Sequence, residues 1–520
     1  MNPRTVIAAF CVLVIATYAL MIDLKGISTD EGIRLAIING GAAFGPSTSS
    51  HDASWSEVLK TSSPYAYQPL YFLIQNSLMR MAQTSNALFF RGVNIFALWI
   101  CLLGLLALSR SWRLLPRLFM IGVFSFNAYL FMHVLQIREY IVGVAFYIWS
   151  TWLVLHLDTR ALRRPWADAL WFAAYGVFLT LGFFLQSWVV FPAIGQLLFL
   201  VARRKGDRGR FFAHLGLSYL IVLLATLPYL QTHQQKVNVG RWGKVTTTIW
   251  PQLSNGFHLV LTGHPDGLSR LTEFLFWFWL VLIAGALVLG WSGKFRPIAE
   301  ASRLELKRHG TLMLLCIGAS VAFQIGYCLQ VEDLSLWPRY FVIHYFFLMW
   351  LIALAFNYFT VISSQIDAPA WTRRTLKTLV GTAFTVMLVS GIFQTRSYYH
   401  DPFADTGLSR AYSWKSMCME VTRALCPGDV VVMNDMTIRS TLTFSWPFAC
   451  RVLLLPELET CDLRSADRLV YLESYYVLSQ RSQLAARMAA RGYPHLKEVR
   501  LHTADGSDLL SEWQLLVFER

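Results

Sequence analysis

Asp30 and Glu31 form an adjacent carboxylate pair just after the first apolar run, Thr5 to Ile22, within Asp-Leu-Lys-Gly-Ile-Ser-Thr-Asp-Glu-Gly-Ile-Arg (Asp23 to Arg34). A carboxylate at a water–membrane boundary can serve as a base or a metal ligand. Two arginines occupy comparable boundaries: Arg138 in Gln136-Ile137-Arg138-Glu139-Tyr140 and Arg339 in Trp337-Pro338-Arg339-Tyr340. Charges at the ends of apolar helices are costly unless paired or hydrated, so these arginines call for an anionic partner. Each feature also has a plainer reading. Ser28 and Thr29 can cap a helix whose acidic first turn faces the helix dipole. Arg138 can snorkel or pair with Glu139, and Arg339 can bridge to Glu332 or Asp333.

The elements that must carry these residues are membrane helices. Of the 520 residues, 55% are hydrophobic and 15% aromatic, too apolar for ordinary soluble domains. The tail after Arg396 has nearly balanced charge, so the net +14 resides in the apolar part. Its basic clusters are Arg110–Arg117, Arg160–Arg164, Arg203–Arg210, Lys294–Arg308 and Arg373–Lys377. Placed on the cytoplasmic side, they read as a topology signal rather than a nucleic-acid surface. Between them, apolar segments fall near 91–109, 118–134, 137–157, 167–184, 187–202, 211–230, 272–291, 311–330, 340–362 and 378–395. With the first run, which has the length of a retained span rather than a cleaved signal, they predict about eleven crossings. An odd number puts the amino end in the cytoplasm and the tail outside. The short segment Tyr67–Ala82, interrupted by Gln75, Asn76 and Arg80, reads as a re-entrant or interfacial helix.

The chain therefore divides into a membrane domain, 1–395, with outer loops 23–67 and 231–270, and an extracytoplasmic α/β domain, 396–520. In the tail, 429–434, 451–455, 468–472 and 513–518 read as strands, with helices near 414–425 and 484–491, which predicts a largely parallel sheet. Cys418, Cys426, Cys450 and Cys461 cluster there. In an oxidising compartment they predict two disulfides, with Cys426–Cys450 and Cys418–Cys461 the favoured pairing and a zinc site the rival. His51, His258 and His264 could hold a divalent ion with Asp30 or Asp52, but their spacing matches no defined metal motif, so metal dependence stays open. No other cofactor is expected.

The order of these features resembles the GT-C glycosyltransferases: a long first helix, Asp30-Glu31, Gln68-Pro69-Leu70-Tyr71 leading a short apolar helix, Arg91 opening the next, Arg138-x-Tyr140, and Arg339-Tyr340. Within that group it is most similar to bacterial relatives of the protein O-mannosyltransferases and lipid A aminoarabinose transferases. The resemblance implies a bacterial inner-membrane enzyme that moves a sugar from a polyprenyl-phosphate-linked donor to a lipid, glycan or protein acceptor by an inverting displacement. It implies Asp30 as general base with Glu31 beside it, and Arg138 and Arg339 on the donor phosphate with Tyr140 and Tyr340 in support. Arg91 and Lys60 are further phosphate candidates; His51, Asp52, Gln68, His258 and His264 are substrate-side candidates. Gln68 stands where many relatives have His or Pro, and Gln136 where some have Glu. The chemistry suits the residue types, because displacement at an anomeric carbon needs a carboxylate near the nucleophile and cations near the departing phosphate. The alternative is a lipid-linked glycan transporter or flippase. Transporters place polar residues near the midplane, often on matching broken helices. Here the midplane stretches are mostly Leu, Phe, Val and Trp, with no convincing internal repeat.

Overall fold

The computed structural model describes residues 2–22, 29–38, 54–62, 69–84, 86–160, 165–204, 208–237, 249–264, 270–292, 300–330, 338–364 and 370–400. In the tail it describes 421, 423–426, 428–433, 451–455, 458, 463, 466, 468–474, 481–500 and 513–520. The chain forms two compact units. The first comprises Met1–Met21, Tyr65–Tyr71 and Gly92–Leu408, the second Ile22–Pro64, Phe72–Arg91 and Ser409–Arg520.

The helices, in order, are α1 (Pro3–Leu20), α2 (Thr29–Ile38), α3 (Trp55–Ser62), α4 (Pro69–Ala82), α5 (Ala87–Leu108), α6 (Leu114–Ser125), α7 (Ala128–Val134), α8 (Tyr140–Thr159), α9 (Pro165–Leu185) and α10 (Val190–Arg203). They continue as α11 (Arg208–Val237), α12 (Ile249–Thr262), α13 (Arg270–Ser292), α14 (Glu300–Gln330), α15 (Val342–Ser363) and α16 (Ala370–His400), with 3-10 turns at Ser187–Val189 and Pro338–Phe341. Among the described residues, nine helices are long and apolar enough to cross a bilayer: α1, α5, α8, α9, α11, α13, α14, α15 and α16. This is a multi-pass membrane protein. Each expected apolar segment is helical, but two of the expected eleven are not continuous full-length spans. Ser187–Arg203 falls short of 18 residues, and α6 and α7 are bent by 66°, which makes ten spans if that pair counts as one. The segment expected to be re-entrant or interfacial contains the 14-residue helix α4.

The α6–α7 break persists because its freed backbone groups find partners, the condition for irregular backbone at membrane depth. The Tyr18 hydroxyl donates to the Ser125 carbonyl at 2.7 Å, and the Tyr345 hydroxyl donates to that of Phe124. Asn127 caps α7 by accepting from the Tyr129 amide at 2.9 Å while its own amide donates to the Val260 carbonyl at 3.0 Å. Gln394 Oε1 accepts from the Ala128 amide at 2.7 Å. Helix α15 is apolar on every side and is buried along almost its whole length, with Phe356 stacked on Phe119 at 3.8 Å and Trp350 on Trp112 at 5.0 Å.

At one end of this bundle the basic clusters meet. Asp158 accepts from Arg203 at 3.1 Å and Arg308 at 2.6 Å, Arg160 pairs with Asp168 at 2.8 Å, and Arg113 donates to Ser364 at 3.2 Å. Glu305 accepts from the Trp112 indole at 2.9 Å. Tyr140 opens α8, and the turn Pro338–Phe341 leads into α15, at the opposite end.

In the second unit, β1 (Val430–Met433), β2 (Arg451–Leu454), β3 (Arg468–Ser474), β4 (His495–Arg500) and β5 (Trp513–Glu519) form one sheet in the order β2-β1-β3-β5-β4. β1 pairs parallel with β2 and β3, while β5 runs antiparallel to β3 and β4. The sheet is thus mixed rather than largely parallel, because β5 runs antiparallel to both its neighbours; β4, an exposed edge strand carrying Lys497 and Glu498, adds to the expected strands. The α17 helix (Arg481–Ala490) adds Leu484 and Met488 to a core of Val430, Val432, Leu469, Tyr471 and Phe518. Asp429 grips Arg468 at 2.7 Å, and this hydrogen bond raises the guanidinium pKa above its ordinary value. The predicted helix 414–425 lies mostly outside the described residues.

The expected Cys426–Cys450 disulfide is corrected: Cys426 is an exposed free thiol. The register explains this. Val430 pairs with Arg451, so Cys426 precedes the ladder by four residues where Cys450 precedes it by one. Cys418, Cys450 and Cys461 lie outside the described residues.

Close packing of α10 on α14 depends on Gly195, where a Cβ would sit 2.5 Å from the Cys316 Cα. Gly195→Ala is expected to lower stability by about 1–3 kcal/mol in thermal unfolding of the detergent-solubilised protein. Gly216→Ala on α11, with nothing within 4 Å, leaves the midpoint unchanged.

Candidate functional site

In the second unit, the carboxylate pair opens α2. Glu31 is fully buried and accepts from Arg91 Nε at 3.2 Å and from Nη2 at 3.1 Å, and Arg91 Nη1 donates to the Ile22 carbonyl at 3.0 Å. The planar guanidinium meets the carboxylate edge-on, which suits Arg better than Lys. Two buried charges have lost their hydration, so each depends on the other. Arg91, a phosphate candidate in the sequence, is thus engaged by the second carboxylate of the pair. Asn76 of α4 donates to the Ile38 carbonyl at 2.8 Å and closes the far end of α2. Lys60 is exposed on α3, which opens with Ser54 and Glu57 bonded to each other; the Ser54 amide and hydroxyl hold the Glu57 carboxyl below its usual range. The side chain of Asp30, and all of His51, Asp52 and Gln68, lie outside the described residues.

In the first unit, residues 131–140 are all buried, so Gln136–Tyr140 is an internal bend rather than a solvent-facing turn. Its irregular backbone needs partners, and Asn94 of α5 supplies them: its amide donates to the Gln136 carbonyl and, at 3.4 Å, to that of Arg138. The Arg138 guanidinium lies over the Tyr140 ring at 5.8 Å, and Tyr140 in turn meets His133 edge-on at 4.8 Å. Arg138 is 8% exposed, which places its charge among packed rings instead of snorkelling. Tyr140 meets the guanidinium with its ring face.

At the other candidate arginine, Arg339 belongs to the 3-10 turn Pro338–Phe341, and its side chain lies outside the described residues. Tyr340 stacks on Trp188 at 4.7 Å. His258 packs face to face on Phe276 at 3.9 Å with Nε2 3.5 Å from Glu273. His264 follows α12, and burial lowers its pKa. Among the described residues, no three His, Cys, Asp or Glu side chains gather as a metal site. Asn94, Gln324 and His344 were missed in the sequence. The signal was there, since an amide or imidazole in an apolar helix is costly unless something bonds it.

No protein-family model and no curated protein sequence matches the chain. Its structure is matched along the full length by ArnT from Cupriavidus metallidurans in the apo state, with TM-score 0.57 and 12% identity over 100% of this chain and 98% of that one. The chain shares the fold of that protein. The same protein bound to undecaprenyl phosphate matches at TM-score 0.53 and 11% identity, over 100% and 98%. The fold expected from the resemblance is borne out; at this identity the likeness extends to the fold alone.

Arg91→Met, which strands Glu31 in a buried site, is expected to cost about 3–5 kcal/mol in thermal unfolding, and Glu31→Gln with Arg91→Met to recover most of it. His264 gives a pH signature. Its folded pKa lies below the ordinary value, so the unfolded chain takes up a proton first as pH falls through about 6.5. Its contribution is therefore full above that pH and lost below it. Melting curves at pH 7.5 and 5.5 should show a smaller loss in His264→Gln than in the parent.

Proposed function

We propose that the protein is a membrane glycosyltransferase that moves a sugar from a polyprenyl-phosphate carrier to a lipid, glycan or protein acceptor. The observation that carries this reading is the full-length structural likeness to ArnT, one of whose structures holds undecaprenyl phosphate. In this reading the arginine-rich loops face the cytoplasm of a bacterial inner membrane, and the tail, from 396 onward, is extracytoplasmic.

Glu31, bound to Arg91, orients α2, and Asp30 is the base. Asp30 takes the proton as the acceptor oxygen attacks the anomeric carbon, while the bond from that carbon to the carrier phosphate breaks with inversion. Arg138 and Arg339 take up the phosphate charge, and the Tyr140 ring holds the first of them. The indole of Trp188 backs Tyr340 beside the second.

The test is Asp30→Asn. Loss of a positioned base costs about 10²–10⁴ in rate. Mass spectrometry of envelope lipids and glycans should show the same species missing from Asp30→Asn cells as from cells lacking the gene. The purified variant should still bind undecaprenyl phosphate as the parent does. A full complement of the product in Asp30→Asn cells removes Asp30 from the mechanism; unaltered glycans in cells lacking the gene, with labelled carrier lipid moving across proteoliposomes, shows a transporter instead.

A further inference from the structure

The turn Pro338–Phe341 carries Arg339 and Tyr340 into α15, and three elements hold it. Gln324 of α14 donates from Nε2 to the Tyr340 carbonyl at 3.4 Å, and its Oε1 lies 2.9 Å from His344 Nε2. Phe341 is buried against α12, where its ring occupies the space that a Cβ on Gly256 would need, 2.3 Å away. Trp188 covers the Tyr340 ring.

The polar pair is the informative part. Gln324 and His344 are both fully buried, with the rings of Phe257 and Phe341 5.4 Å and 5.6 Å from the imidazole. A carbonyl only accepts, so the Gln324 amide nitrogen faces Tyr340 and its oxygen faces His344, which fixes Nε2 as the protonated ring nitrogen. Apolar side chains of similar volume would fill this space without the cost of burying an amide and an imidazole. The polar pair adds an aimed hydrogen bond to the backbone of a 3-10 turn, a structure whose own hydrogen bonds have poor geometry.

We propose that Gln324 and His344 are positioning residues that set the backbone of Arg339 and Tyr340, and through it direct the Arg339 guanidinium at the phosphate of a polyprenyl-phosphate lipid. This rests on the phosphate-binding reading of Arg339 given above. The pair touches the turn and not the reacting atoms, so its effect is on donor affinity and disappears once Arg339 has no charge to aim.

A double-mutant cycle tests this, with undecaprenyl phosphate titrated into the full-length protein in detergent and the bound fraction read by native mass spectrometry. Gln324→Met is expected to weaken binding about five- to tenfold, the equivalent of one lost hydrogen bond. Arg339→Ala weakens it further, and Gln324→Met then adds less than about twofold. Equal losses in both backgrounds, or unchanged affinity in Gln324→Met alone, overturn the inference while leaving the Arg339 reading intact. Unchanged affinity in Arg339→Ala overturns that reading and takes the positioning role with it. His344→Phe, run through the same cycle, supplies the measurement if Gln324→Met does not fold.

Discussion

Irregular backbone inside the helical unit must be met by partner groups, because neither the packed helices nor the lipid around them offers water to do it. This constraint accounts for more of the molecule than its apolar packing does. The bend between α6 and α7 exists where Tyr18, Asn127, Tyr345 and Gln394 can answer the backbone groups it releases. The buried bend at Gln136–Tyr140 exists where Asn94 can do the same. The basic end is stable for the related reason that its arginines find Asp158 and Asp168 within the bundle's own helices.

Much of this was legible in the sequence, and the part that was not follows from the same constraint. Apolar runs of span length and clustered arginines are properties of contiguous residues, so the helices and their shared basic end could be anticipated from composition alone. The break at Phe126–Asn127 could not, because an apolar window gives no sign of a hydroxyl arriving from α1 or an amide from α16. The site divides in the same way. Asp30-Glu31, Arg138 and Arg339 announced themselves as charges at apolar boundaries, whereas the pairing of Glu31 with Arg91 joins residues from separate helices, and no local pattern encodes it.

The tail shows a second limit of local reading. Strands β1, β2 and β3 have the aliphatic character of parallel strands, and they fall where the sequence predicts them, although β2 lies at the sheet edge. β4 lies at the sheet edge, with His495, Leu496, Lys497 and Glu498 exposed, and such a strand need not alternate or be apolar. The antiparallel course of β5 between β3 and β4 is what makes the sheet mixed. The cysteine pairing rested on adjacent strands bringing their preceding residues level. Adjacency holds for β1 and β2, but the turn Cys426–Asp429, closed by the Asp429 carboxylate accepting from the Cys426 amide at 2.7 Å, takes the thiol out of register.

Burial also sorts the candidate cations by what they can do. A guanidinium already bonded on both faces of its fork, as Arg91 is by Glu31 and the Ile22 carbonyl, contributes to architecture, since releasing it toward a ligand would strand a buried carboxylate. Arg138 is held differently, with its guanidinium over an aromatic face, that of Tyr140. The turn that carries Arg339 is fastened through the Tyr340 carbonyl and by flanking rings. These arrangements differ in what they sacrifice when an anion binds, and that difference, more than the count of positive charges, separates the arginines that build the site from those proposed to work in it.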